Sequence, residues 1–183
     1  LEFRRVLFRS HLGRRGDKPT PPINLVGDFG GGGMLMAFGV ACALLEATRS
    51  GRGQVVDAAM VDGTATLMAM FHAWPGWGER GTNLLDTGAP FYDTYECKDG
   101  AFISLGSLEP QFYAELVSRL GLEAEFDLAK QMDPSTYEMQ RTRLTELFLT
   151  RTRDEWNEIL EYSDACYAPV DRKSTRLNSS HRT

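Results

Sequence analysis

The sequence predicts an α/β chain in two parts, a helix-and-strand unit followed by an α+β unit. Three observations predict it. An apolar stretch at residues 34–45 follows a glycine run and reads as a helix. Lys98-Asp99-Gly100 separates two β-rich runs and reads as the turn of a hairpin. Between these parts, residues 74–90 are rich in Gly and Trp and follow no period, which marks a linker or an extended crossing segment.

Each element follows in order. Residues 11–23 are polar and end in Pro19-Thr20-Pro21-Pro22, a loop. NLVGDFGGGG occupies residues 24–33, and the stretch after it is apolar almost all round. A helix apolar on every face is a buried one. At about a dozen residues it falls short of a membrane span, which needs ~20. The turn Gly51-Arg52-Gly53 leads to a short strand candidate at 54–57. Residues 58–73 read as a helix carrying Met60, Leu67, Met68, Met70 and Phe71. The hairpin pairs 91–97 with 101–105. Helices are expected at about 110–120, 135–150 and 153–162, and a last strand opens at Tyr167.

The chain ends read differently from the middle. Residues 1–10 are LEFRRVLFRS, and the stretch from Asp171 begins DRKSTRLNSSH. Codons for DRKS, reverse-complemented and read one base in, spell Leu-Phe-Arg and begin Ser, the LFRS of residues 7–10. Two ends that are opposite strands of one oligonucleotide are expected to be translated adapter, so residues 1–10 and 171–183 are set aside and 11–170 taken as the natural segment, interrupted at both sides.

Setting the ends aside changes the charge. The whole chain has 20 basic and 25 acidic residues. The ends hold seven of the basic ones (Arg4, Arg5, Arg9, Arg172, Lys173, Arg176, Arg182) and two of the acidic (Glu2, Asp171), leaving 13 against 23. An acidic body argues against partnership with nucleic acid or an anionic membrane. Cys42, Cys97 and Cys166 are far apart and in no metal-type spacing, so no metal site is expected. A reducing, cytoplasmic setting is the default.

The glycine run fails as a phosphate loop, because Met34-Leu35 stands where Lys-Ser or Lys-Thr is required. No register from Gly27 to Gly33 supplies a dinucleotide fingerprint either. Close backbone packing is the simpler role for these glycines. Asp28 sits just before the apolar helix, where partial positive charge favours a carboxylate. It is either a plain cap or loop aspartate or a functional one.

Five stretches decide more: PPINLVGDFGGGG (21–33), GRGQVVDAAMVDGTA (51–65), RGTNLLDTGAPFYDTYECKDG (80–100), LGSLEPQFY (105–113) and SDACYAPV (163–170). In this order they resemble the family III CoA-transferases, specifically the α-methylacyl-CoA racemase branch. The resemblance implies an intertwined homodimer. Residues 11–57 would belong to a large Rossmann-like domain, 58–90 to a helix and linker, and 91–170 to a small α+β domain. It further implies epimerisation of 2-methylacyl-CoA thioesters by α-proton exchange through an enolate, in lipid and fatty acid metabolism. No cofactor is expected, CoA entering as part of the substrate.

Such chemistry needs one acid/base group on each face of the α-carbon. The resemblance assigns one of these roles to Asp28, and makes Asn24 its hydrogen-bond donor; Asn24 could equally satisfy local backbone. It makes Glu109 a partner of the catalytic histidine across the dimer interface. Pro110 suits a first helical position, which puts Glu109 at the N-cap, where glutamate is not a favoured residue. A solvated glutamate near a helix start is the plainer reading. The histidine of a GHD-type motif is absent from this sequence, and His11, His72 and His181 do not replace it. The chain alone is therefore expected to be inactive. Met60, Met68 and Met70 suit either a core or an adaptable acyl-chain surface. The alternative activity is a family III CoA-transferase, in which the aspartate is a nucleophile that forms an aspartyl-CoA intermediate.

Overall fold

The computed structural model describes residues 11–170. Both adapter-like segments, and His181 with them, lie outside the described residues. The described residues divide into two compact units, which part between Asn83 and Leu84. The division falls inside the stretch 74–90.

In the first unit the helix starts earlier than the sequence pattern indicates. Leu25–Met34 winds as a π-helix and runs directly into α1, Leu35–Ser50. The wider winding shows in the bond from the Phe29 N–H to the Asn24 carbonyl, five residues back, at 3.0 Å. Glycines tolerate such a helix because no Cβ resists it. Gly51 ends α1 at φ 71°, donating its N–H to the Ala47 carbonyl. That left-handed C′ position is the one glycine fills at least cost.

Two expectations are corrected here. The 34–45 helix is not buried within its own unit: Met34, Phe38, Leu44 and Leu45 are exposed, and α1 contributes no buried residue. Its apolar faces outnumber the surfaces this unit offers to cover them. Nor is the helix short, since Leu25–Ser50 is long and apolar enough to cross a membrane by length and composition. The length argument against a span therefore lapses.

Residues 54–57 form no strand and pair with none among the described residues, and Val55 is 93% exposed. Without a neighbouring strand its backbone groups have no ladder to join, so β-propensity alone does not make a strand. A Cβ on Gly39 would meet the Val56 side chain at 2.7 Å, so this segment runs close over α1. Two helices follow, α2 (Met60–Leu67) and α3 (Ala69–Ala73), broken at Met68. The predicted helix at 58–73 is thus two pieces. Met68 is buried, Met60 lies against Gly32, and Met70 is half-exposed.

The second unit carries the sheet. β1 (Thr94–Glu96) pairs antiparallel with β2 (Phe102–Leu105), and β2 with β3 (Tyr167–Val170). Gly100, at φ 74°, makes the predicted turn and donates to the Cys97 carbonyl. Helices α4 (Pro110–Leu120), α5 (Tyr137–Phe148) and α6 (Arg153–Leu160) complete the unit. Side chains alternate along β2, sending Ile103 and Leu105 into the core. Phe91, Tyr95, Tyr113, Leu116, Leu144, Phe148, Trp156 and Leu160 fill the rest of it. α6 starts on a capping box: the Glu155 N–H donates to the Thr152 hydroxyl, and the Thr152 N–H donates to the Glu155 carboxylate.

Candidate active site

The glycines of GDFGGGG have a packing role that the structure makes explicit. Gly31 and Gly32 are buried where the π-helix meets α2. A Cβ on Gly31 would stand 2.7 Å from the Thr64 nitrogen, and one on Gly63 would collide with the Gly31 carbonyl. Two backbones therefore touch, and no side chain can come between them.

This contact fixes the helix start that presents Asp28. Asp28 lies in its first turn and is exposed. Asn24 occupies the N-cap with no side-chain capping bond. The link from Asn24 to this turn is its carbonyl, which accepts from Phe29, rather than its amide on the Asp28 carboxylate. The amide–carboxylate bond that the resemblance implies is not formed in this chain.

Glu109 belongs to the second unit. It is the N-cap of α4, with Pro110 at the first helical position. Its backbone is extended (φ −75°, ψ 143°), and its carboxylate makes no capping bond. The Glu109 carbonyl accepts from the N–H groups of Phe112 and Tyr113, both at 3.0 Å. Asp28 and Glu109 are thus carried by different units.

Sequence reasoning missed the polar residues that hold the Glu109 turn. Ser107 is fully buried. Its N–H donates to the Phe91 carbonyl at 3.0 Å, and its hydroxyl to the Ala165 carbonyl at 2.6 Å. The Gly106 N–H donates to the Cys166 carbonyl at 2.9 Å, so the β2–β3 pairing continues past the strands. Three of the sequence stretches, around residues 91, 107 and 165, meet at Ser107. Burial first, and then the negative charges of Glu109 and Asp164, push the Cys166 thiol up from its ordinary range. A signal was present in the sequence: Ser107 lies two residues past the strand that ends at Leu105 and two before Glu109.

A second cluster joins residues that the sequence treated separately. The Trp77 indole N–H donates to His11 Nδ1 at 3.1 Å, and the His11 and His72 rings meet edge-on at 5.8 Å between centroids. Both histidines are thus engaged with aromatic neighbours of their own unit. The second unit also bears an open groove of about 320 Å³, lined by Thr87, Asp93, Thr94, Ser104, Cys166 and Tyr167 among others. Asp28, Asn24 and Glu109 are not in its lining. Among the described residues no cluster of His, Cys, Asp and Glu could hold a metal ion.

This site and fold correspond to a known class. Residues 7–182 match CoA-transferase family III, and the chain belongs to that family. The match runs into both terminal segments. The chain is 44% identical over 176 residues to the α-methylacyl-CoA racemase of Mus musculus, covering 94% of this chain and 46% of the relative. It is 42% identical over 167 residues to that of Homo sapiens, covering 88% of this chain and 43% of the relative. It therefore spans about half the length of the curated relatives it matches. A hypothetical protein of Mycobacterium tuberculosis shares the fold, with a TM-score of 0.70 at 22% identity over 95% of this chain and 48% of that one.

Proposed function

We propose that this chain is part of an isomerase of the α-methylacyl-CoA racemase type, epimerising 2-methylacyl-CoA thioesters by α-proton exchange. The observation that supports it most is the 44% identity to the mouse racemase across nearly the whole chain, Asp28 included within the matched family segment. In this reading Asp28 is one proton carrier. It lies exposed in the first turn of the helix, where a substrate can reach it. The second carrier is a histidine outside this sequence, and Glu109 acts on that histidine.

The exposed apolar faces of α1 support a homodimer, since apolar patches of this kind are covered by association. CoA arrives as part of the substrate, and no further cofactor is needed, because proton exchange changes no oxidation state. A cytoplasmic setting and a place in fatty acid metabolism accompany this reading.

The transferase reading differs in one physical respect: Asp28 would make a bond to carbon instead of moving a proton. The test is a chimera in which this chain replaces the matching segment of the mouse racemase. It is mixed with 2-methylacyl-CoA in deuterated water. Deuterium at the α-carbon with an enzyme of unchanged mass is the expected result. A mass increase mapped to Asp28, without α-deuterium, would move the chain to the transferases.

A further inference from the structure

We propose that Gln131, together with Ser107, is a positioning residue for Glu109, holding the turn that aims its carboxylate. This rests on the racemase reading of Glu109. Gln131 is only 4% exposed, yet it lies between two short 3-10 turns, Leu128–Lys130 and Pro134–Thr136. From there its side-chain amide reaches back to the turn before α4. Nε2 donates to the Ser107 carbonyl at 3.1 Å and to the Leu108 carbonyl at 2.9 Å.

Two consecutive carbonyls facing one way are not the pattern of a strand, and residues 106–108 are not helical, so no ladder or helix supplies their donors. Each needs a donor when buried. A primary amide offers two N–H groups from one nitrogen, and Gln131 supplies them together. The residue that follows these carbonyls is Glu109.

Most N-cap side chains fold back onto the helix and are held by that bond. Glu109 makes no such bond. Its direction is therefore set by the backbone on either side of it. After it, that backbone is α4. Before it, the backbone is held by Gln131 on the carbonyl side and by the Ser107 N–H and hydroxyl on the other. The carboxylate is left available for a partner while its base is fixed.

The test has two arms. On this chain, amide exchange at Phe112 and Tyr113 reads the firmness of the turn, because both donate to the Glu109 carbonyl. Gln131→Met keeps the length and removes the donors. Exchange there should quicken by roughly 10- to 100-fold, the scale of the two lost hydrogen bonds, with α6 unchanged. Unaltered exchange would overturn the proposal.

The second arm uses the mouse chimera. Gln131→Met should lower kcat by roughly 10- to 100-fold and leave KM unchanged, as misplacement of a reacting group does. In a Glu109→Gln background the same change should add nothing, since the group it aims is gone. A full additional loss in that background would show a merely structural role and sink the inference. Ser107→Ala runs the same cycle if Gln131→Met does not fold. A silent Glu109→Gln beside a crippled Asp28→Asn would remove the role of Glu109, and this inference, while leaving the racemase reading. A folded chimera with no α-proton exchange would remove both.

Discussion

Gly31 and Gly63 lie backbone against backbone, so closely that a Cβ on Gly63 would collide with the Gly31 carbonyl. This contact locks the π-helix of GDFGGGG onto α2 and sets where Asp28 stands. Gly63→Ala should therefore cost about 1 to 3 kcal/mol, the usual range for overpacking a close contact. Gly27, around which a Cβ would meet nothing within 4 Å, is the control. Gly27→Ala should be neutral or slightly stabilising, because alanine orders less backbone on entering a helix. Limited proteolysis and thermal melts of the two variants compare them.

The second unit depends on a buried charge pair. Arg141 reaches the Asp93 carboxylate, whose side chain is 2% exposed, and donates to the carbonyls of Thr87 and Gly88 at 2.7 and 2.8 Å. It thereby ties the stretch before β1 to α5. Arg141→Met would leave a buried carboxylate and two carbonyls without this donor. The expected loss is about 3 kcal/mol, measured by urea unfolding. Asp93→Asn should cost less, since an amide needs no counter-charge.

If Asp28 carries a proton, Asp28→Asn in the mouse chimera should lower the rate by ~10² to 10⁴. Its thermal midpoint should hardly move, because the side chain is exposed. A parallel loss of stability would point to a structural cap instead.

The capping box of α6 is sensitive to pH. Hydrogen bonds from the Thr152 N–H, and then from its hydroxyl, hold the Glu155 carboxyl below its ordinary range. A depressed carboxylate contributes stability above its unfolded value and loses it as pH falls through the folded one. Unfolding experiments at falling pH should show that loss in the wild type. It should be weakened in Thr152→Ala, which at neutral pH costs about 1 kcal/mol as a lost cap.

Cys97 is buried, and burial pushes its thiol up to about 11. Cys42 and Cys166 are exposed. A thiol reagent at neutral pH should modify the latter two in the folded chain and reach Cys97 only after denaturant is added. Rapid labelling of Cys97 without denaturant would show that the core around β1 is open.

The sequence by itself determined the local elements of the second unit. Asp-Gly at 99–100 admits a tight turn, alternation along 102–105 selects one buried face, and Pro110 and Thr152 start helices by local chemistry. These are short-range rules that act within a few residues. Asp28 and Glu109 enter as candidates through the family resemblance of motifs read in order.

Only the tertiary structure decided the rest. The helix at Leu25 begins nine residues earlier than its apolar pattern, because the glycines are held by Gly63 and Thr64, more than 30 positions away. Residues 54–57 have strand-like residues and no strand, since a ladder needs a partner that the sequence window cannot supply. The donors for the carbonyls before Glu109 come from Gln131, more than 20 residues downstream. A polar group's burial and its partner are properties of the packed chain, and no local pattern encodes which distant amide will meet it.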